Sequence, residues 1–273
     1  MSLLGGEPTL HPDFVDFVFY LLERNFNVTV FTSGILSDLK IKQLKEISYK
    51  FDDNNISFVC NLNKPSLSTK QELTKIENFL SEFGKYIIPG FNIHELDFDI
   101  SFIINYINTF QLKKSLRLGL AHPIYDGKNK HIALIDYPKM AAKIVSYVDD
   151  FENNNIDVGF DCGMPMCLFS DESIGKFYKT SKRLLNFTCG PAIDIGINME
   201  TWTCFPFSYE KKSIFDFDNV SDVVKYHTNF IEEIRKEKKV FGIFDDCENC
   251  KHRKKGLCSG GCLFHAINKN KNL

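Results

Sequence analysis

Along the first 160 positions the apolar residues switch repeatedly between helical spacing and short β-rich runs, and each switch predicts one element of a βα series. Phe14, Phe17, Val18, Leu21 and Leu22 keep i, i+3, i+4, i+7 spacing behind His11-Pro12, which predicts a helix. Asn27 to Thr32 (NVTVFT) predicts a strand ending at Ser33-Gly34. Ile41, Leu44 and Ile47 mark the next helix and Ile56 to Cys60 (ISFVC) the next strand. Thr69 and Glu72 have capping-box spacing ahead of Leu73, Ile76, Phe79, Leu80 and Phe83. Leu96 to Asn105 (LDFDISFIIN) and Leu116 to Ala121 (LRLGLA) predict two further strands, and Met140, Ile144, Val145 and Val148 a last helix. Serial βα units form a parallel sheet, closed as a barrel or spread open, with the functional loops at the C-terminal ends of the strands.

Beyond Asp157 the pattern changes. A short apolar run (VGF) leads into DCGMPMC, then a helical stretch (DESIGKFYKTSKRLL) and the segment CGPAIDIGINMETWTC, whose alternating middle predicts a hairpin. A helix carrying Val223, Val224, Phe230, Ile231 and Ile234 precedes the terminal CENCKHRKKGLCSGGC.

With 273 residues, 44% of them hydrophobic, the chain can bury a substantial core. A net charge of -2 lacks the electrostatic footprint of a nucleic-acid binder, and the KHRKK run reads as a solvated face. No apolar run reaches 18 residues and the N-terminus has no signal-peptide pattern, so a soluble cytoplasmic protein without a membrane partner is expected. Thiols stay reduced in that compartment, so the nine cysteines, six of them between Cys189 and Cys262, point to metal or catalysis rather than disulfides.

Two motifs carry the chemistry. Residues 3 to 8 (LLGGEP) place two glycines, a carboxylate and a ladder-stopping proline at the end of a strand that begins almost at the first residue. The turn suits a small amine, although it could equally be an ordinary strand-to-helix turn. The string GGEPTLHP, followed by a helix, resembles the second strand-loop of radical S-adenosylmethionine (SAM) enzymes, where it holds the methionine amino group of SAM. By that resemblance Gly5, Gly6, Glu7 and Pro8 contact the cofactor, and Asn61, Asn63, Asn105 and His122 occupy later strand tips that approach its ribose, adenine and methionyl parts. The family's CxxxCxxC loop, whose thiolates hold the SAM-cleaving [4Fe-4S] cluster, does not precede Gly5. The resemblance therefore implies a barrel missing its first βα unit, and a fragment that is catalytically incompetent although its parent is an enzyme.

The second motif is CxxC-x7-CxxxC, formed by Cys247, Cys250, Cys258 and Cys262, with Cys189 and Cys204 before it as Cys-x14-Cys. Thiolates at such spacing converge on a metal, and either iron-sulfur or structural zinc fits. A GGEP barrel followed by this pattern is similar to the SPASM and twitch extensions of radical SAM enzymes, which bind auxiliary iron-sulfur clusters. On that resemblance Cys189, Cys204 and Cys262 share one cluster and Cys247, Cys250 and Cys258 a second. The gap of seven after Cys250, the Asn198-Met199-Glu200 stretch in place of a glycine, and the lack of a cysteine after Cys262 depart from the pattern. Cys162 or Cys167 could supply a missing ligand or be buried free thiols.

Of the remaining candidates, Cys60 reads as a core residue, His122 as a strand-tip polar group, Asp161 as a turn former or an acid-base group, and Trp202 as packing around the metal site. The expected architecture is α/β: a partial (β/α) TIM-like barrel over 4-160, a bridging segment over 161-184 and a small cysteine-rich SPASM-like domain over 185-273. The expected parental function is reductive SAM cleavage to a 5′-deoxyadenosyl radical, with an electron donor and a peptide or protein substrate as partners; no catalytic residue is assigned. The alternatives are a zinc-binding interaction protein and, disfavoured by the lack of a P-loop or GxGxxG, a nucleotide-binding α/β enzyme.

Overall fold

A computed structural model describes residues 1-124, 128-161, 163-181, 185-190 and 192-268. Six parallel strands form one sheet in sequential order: β1 (Ser2–Leu3), β2 (Val28–Thr32), β3 (Ile56–Asn61), β4 (Ile87–Ile93), β5 (Ser115–Leu120) and β6 (Asp157–Phe160). The crossovers are helices α1 (Phe14–Glu23), α2 (Asp38–Ile47), α3 (Lys70–Phe83), α4 (Ser101–Thr109), α5 (Tyr137–Val145) and α6 (Val148–Asn154). Right-handed crossovers between sequential neighbours set all the helices on one face of the sheet, the arrangement of an incomplete barrel.

Strand periodicity divides the two faces. Val28, Val30, Ile56, Phe58, Cys60, Ile87, Leu116, Leu118 and Val158 point to the helical layer and are buried. There Phe58 sits among Phe51, Phe79 and Phe83 at ring distances of 6.3, 5.4 and 5.9 Å. The expected capping box opens α3: Thr69 Oγ1 accepts from the Glu72 amide at 3.2 Å, and Glu72 accepts from the Thr69 amide at 2.8 Å.

Two sequence expectations are corrected. The strand expected over 96-105 is instead β4 at Ile87–Ile93 followed by α4, so Asn105 is an exposed helical residue and not a strand tip. Pro89, which cannot donate to a ladder, disguises β4, and the apolar run FIIN belongs to the buried stripe Ile103, Ile104 and Ile107 of a helix. The single helix expected around Met140 to Val148 is two, α5 and α6, and the VGF run is a sixth strand.

After β6 come α7 (Asp171–Thr180), the antiparallel strands β7 (Ile193–Ile195), β8 (Glu200–Thr203) and β9 (Lys212–Ser213), α8 (Val220–Glu237), and the short helices α9 (Lys251–Lys254) and α10 (Leu263–Asn268). The expected hairpin is β7-β8, and the helix expected from Asp171 ends at Thr180, with 182-184 outside the described residues. Phe207, Ile231, Cys262, Leu263 and Phe264 make a small second core, while Phe187, Ile243, Cys258 and Ala266 pack into the main one. Among the described residues no helix is long and apolar enough to cross a membrane.

Because Phe58 is fully buried among three aromatic rings, Phe58→Ala is expected to lower unfolding free energy by about 3–5 kcal/mol in urea titrations. Phe215→Ala, at a side chain 79% exposed, should stay within about 0.5 kcal/mol of wild type.

Candidate functional site at the C-terminal strand ends

Strand β1 contributes only two residues to the sheet, paired Ser2 with Thr29 and Leu3 with Val30. What fixes its tip is Glu7. One carboxylate oxygen, Oε1, accepts from Thr9 N (3.3 Å), Thr9 Oγ1 (2.8 Å) and Thr32 Oγ1 (2.8 Å). Oε2 accepts from Ser33 N and Ser33 Oγ, both at 2.7 Å. Burial would raise this carboxyl, but the hydrogen bonds from Ser33, Thr9 and Thr32 outweigh it and hold the pKa below its ordinary value. Glu7 also caps the 3-10 turn Pro8–Leu10, which Pro8 opens. Gly5 and Gly6 arch over this anchor with φ of +95° and +45°, and a Cβ at either would meet nothing within 4 Å. The backbone of the GGEP turn therefore faces open space while its carboxylate is consumed internally.

The sheet face away from the helices carries a polar lattice that the strand register builds. Asn61, Gly90, Arg117 and Gly159 form one row across β3 to β6. Arg117 reaches over Gly90 to donate to Asn61 Oδ1 at 3.1 Å, and a Cβ on Gly90 would stand 2.8 Å from that oxygen. In the next row Asn92 and Asp161 flank Gly119, whose Cβ would fall 2.4 Å from Asn92 Oδ1 and 3.2 Å from Asp161 Oδ2. Arg117 pairs with Asp161, donates to Asn92 Oδ1 at 3.4 Å and lies 5.4 Å from the Phe31 ring centroid. Burial raises the Asp161 pKa and outweighs the opposing pull of Arg117. Glycines thus clear the space in which four polar side chains meet.

Of the expected strand-tip residues, Asn61 belongs to this lattice and Asn63 is exposed just beyond β3. His122 follows β5, where a Cβ on Gly163 would lie 2.1 Å from its Nε2, so the loop after β6 closes directly on its ring. That ring is 6.2 Å from His265, which is hydrogen-bonded through Nδ1 to Tyr137 at 3.1 Å. Burial, with His122 and His131 nearby, pushes His265 down to about 4, so it is neutral at pH 7. Cys60 is buried under Gly34, its pKa raised by burial and by the charge of Glu7, as suits an inert core thiol. Arg117, Asn92, Thr32, Ser33, Tyr137 and His265 escaped sequence reading. A charge inside the apolar run LRLGL was the one available signal for Arg117.

Of the later thiols, Cys258 packs in the main core and Cys262 in the small second core. Cys204 is pushed up to about 12 by burial, Cys262 and Cys189, and Cys262 to about 11, with Cys189 again a neighbour. Cys167 is pushed up to about 11 by burial and then by Cys247, Cys258 and Cys250. Cys162 lies outside the described residues. Among the described residues, no three His, Cys, Asp or Glu side chains converge tightly enough to hold a single metal ion. Glycine backbone packs closely on two of these thiols. The Gly260 amide donates to Cys258 Sγ at 3.3 Å, and Cβ atoms on Gly242 or Gly260 would fall 2.6 and 3.4 Å from Cys247 Sγ.

Two outcomes test this geometry. A carboxyl whose folded pKa is lowered stabilises the protein above its unfolded pKa and loses that contribution as pH falls through the folded value. Glu7→Gln should therefore cost roughly 1–3 kcal/mol at pH 7, and its deficit should shrink in unfolding titrations carried well below the ordinary 4.5. Arg117→Gln removes the cation opposing burial at Asp161, so the Asp161 midpoint should move further up in an NMR carboxyl titration.

No family model matches the chain, and no curated protein matches it in sequence. Among solved structures the chain is similar to Streptococcus suis SuiB, at 15% identity and a TM-score of 0.62 over 99% of this chain and 63% of that one. SuiB bound to S-adenosylmethionine matches at 15% identity and a TM-score of 0.60, covering 99% and 62%. SuiB bound to the precursor peptide SuiA matches at 17% and 0.61, with the same coverage. At such identities the likeness is one of fold, and this chain spans under two thirds of the SuiB chain.

Proposed function

We propose that this chain belongs to a SAM-binding iron-sulfur oxidoreductase of the radical SAM type, with a SPASM-type auxiliary-cluster region over 185-273, that modifies a peptide or protein side chain. One observation carries the reading: the GGEP turn is braced by five hydrogen bonds to Glu7, and its two left-handed glycines open onto free space at the C-terminal edge of a parallel sheet. In this reading the Gly5-Gly6 backbone receives the methionine ammonium of SAM. Glu7 positions that backbone and supplies negative charge from behind it. Pro8 fixes the exit of the turn, and Asn61, Asn63 and His122 offer polar groups at later strand ends. Asn105, on the exposed side of α4, drops out of the set.

When bound together, SAM and a reduced [4Fe-4S] cluster supply a 5′-deoxyadenosyl radical that abstracts hydrogen. The 273 residues contain no CxxxCxxC, so alone they are expected to bind SAM and auxiliary iron without cleaving SAM. The Arg117, Asp161, Asn61 and Asn92 lattice gives the substrate a polar, orienting floor. A peptide substrate is supported by the fold shared with SuiB, which binds both SAM and a precursor peptide. An electron donor completes the scheme, and the cytoplasm, where thiols stay reduced, is its compartment.

Iron-sulfur ligation is preferred here to zinc because, among the described residues, no three candidate ligands converge on a point that would hold a single ion. A tetrahedral zinc site holds sulfurs at about 2.3 Å from one centre, whereas a multi-iron cluster accepts ligands set further apart. Anaerobic reconstitution with iron and sulfide, followed by metal and sulfide analysis, tests this. Iron and acid-labile sulfide in equal amounts are expected, and stoichiometric zinc retained through the procedure would overturn it.

A further inference from the structure

The small antiparallel sheet carries apolar side chains that neither core covers. We propose that the β7-β8 turn and the segment following β9 form a docking surface for a cationic, partly apolar stretch of a polypeptide partner. The identity of that partner as the peptide substrate rests on the peptide-modifying reading above, whereas the surface is argued from the residues that build it.

Backbone hydrogen bonds bring the two pieces together. Gly196 N donates to Glu200 O at 2.8 Å and Met199 N to Gly196 O at 2.9 Å, which closes the β7-β8 turn and leaves Ile197 fully exposed. Ile214 N then donates to Met199 O at 2.8 Å, extending the β8-β9 pairing of Glu200 with Ser213. Phe215 follows that bond directly. The 3-10 turn Ile214–Asp216, capped by Ser213 Oγ accepting from Phe215 N at 3.3 Å, sets the two phenylalanines apart. Phe217 packs on Tyr226 with ring centroids 5.6 Å apart, while Phe215 stays exposed. Helix α8 is seated by buried Val223 and Ile231 and by a 3.0 Å hydrogen bond between His227 and Thr201 of β8. Ile197, Met199 and Phe215 are thus presented on a fixed frame, which lowers the ordering cost of binding.

Charge selects the occupant. Between Ser208 and Asp222 four acidic residues stand against two lysines. Both lysines are engaged: Lys211 Nζ lies 3.0 Å from Glu200 Oε2, and Lys212 Nζ lies 5.8 Å from the Tyr226 ring centroid. Asp222 is committed to the start of α8, where Asn219 Nδ2 donates to it at 2.8 Å. Asp216 and Asp218, on either side of Phe217, are exposed, and no cation among the described residues pairs with them. Uncovered apolar side chains therefore adjoin two uncompensated carboxylates. Such a surface repels anionic lipid and nucleic acid, and a second copy docked face to face would set these aspartates against their own counterparts. A polypeptide with Lys or Arg next to apolar residues answers both features. Its apolar side chains cover Ile197, Met199 and Phe215 while its cations meet Asp216 and Asp218.

Fluorescence anisotropy with the full 273-residue chain and two short labelled peptides tests the surface, one peptide built of Lys and Leu and the other with every Lys replaced by Glu. The Lys peptide is expected to bind, more weakly as salt rises, and the Glu peptide is not. Phe215→Ala, and Asp216→Asn combined with Asp218→Asn, should each weaken the Lys peptide about fivefold or more. All three side chains are exposed, so the circular dichroism spectra should stay as in wild type. Asp216→Lys combined with Asp218→Lys should reverse the preference toward the Glu peptide. Affinity for the Lys peptide that ignores these substitutions, or equal affinity for both peptides, would overturn the surface. Self-association in sedimentation, or binding to phosphatidylglycerol vesicles, that disappears in Phe215→Ala would overturn it in favour of another occupant. Equilibrium dialysis with SAM separates the two layers of the argument: SAM bound without peptide docking removes the surface alone, and docking without SAM binding supports the surface but overturns the partner's identity as substrate.

Discussion

The Glu7 carboxylate is the constraint from which the proposed cofactor edge follows. A two-residue parallel pairing supplies few ladder bonds, too few to hold a strand tip with two left-handed glycines in one conformation. Five donors from Thr9, Thr32 and Ser33 take over that task, and they bind the first strand to the end of the second. The cost of burying a carboxylate is offset because each oxygen is surrounded by donors, so the charge is retained. An anion so engaged cannot also clasp an incoming amine with full strength. Its contribution to a cation is the field behind the glycine backbone, and the contact itself falls to carbonyl oxygens that the glycines leave uncovered.

The same economy shapes the sheet. One face is sealed by aliphatic and aromatic side chains against the helices, and the other sets Gly90 and Gly119 among Asn61, Asn92, Arg117 and Asp161. Parallel register puts side chains of neighbouring strands in rows, so a glycine in one strand opens room for the long side chain of the next. Arg117 can span from Asn61 to Asp161 because Gly90 and Gly119 are there. A Cβ at Gly119 would displace two polar groups at once, which makes that glycine as much a part of the lattice as the charges are.

Much of this was legible in the chain and some was not, for identifiable reasons. Helical stripes such as Ile76, Phe79, Leu80 and Phe83 and the Thr69 capping box encode local structure, and they form as expected. Strand β4 was hidden because Pro89 and Gly90 are both poor strand residues, tolerated here because register with β3 and β5 supplies the order they do not. Misplacing it carried Asn105 to a strand tip when it belongs to the solvent side of a helix. The GGEP turn was visible as a motif, yet its binding of Thr32 and Ser33 was not, since contacts across 25 and 26 residues depend on the sheet being assembled. Arg117, Asn92 and His265 escaped for the same reason: each is ordinary in sequence and gains meaning only from neighbours on other strands.

The thiols extend that lesson to the joining of the two halves. Spacing groups Cys247, Cys250, Cys258 and Cys262 as one motif, but the fold separates Cys262, which turns toward Cys189 and Cys204 at the start of α10. It does so because Gly260 and Gly261, at φ of +77° and +86°, reverse the chain between Cys258 and Cys262. The reversal sends one thiol into the small core with Phe207 and Phe264 and leaves the other in the main core beside Phe187. The two halves of the chain are thus joined where their cysteines divide. A group bound by these thiols would cross-link loops distant in sequence and stabilise that junction.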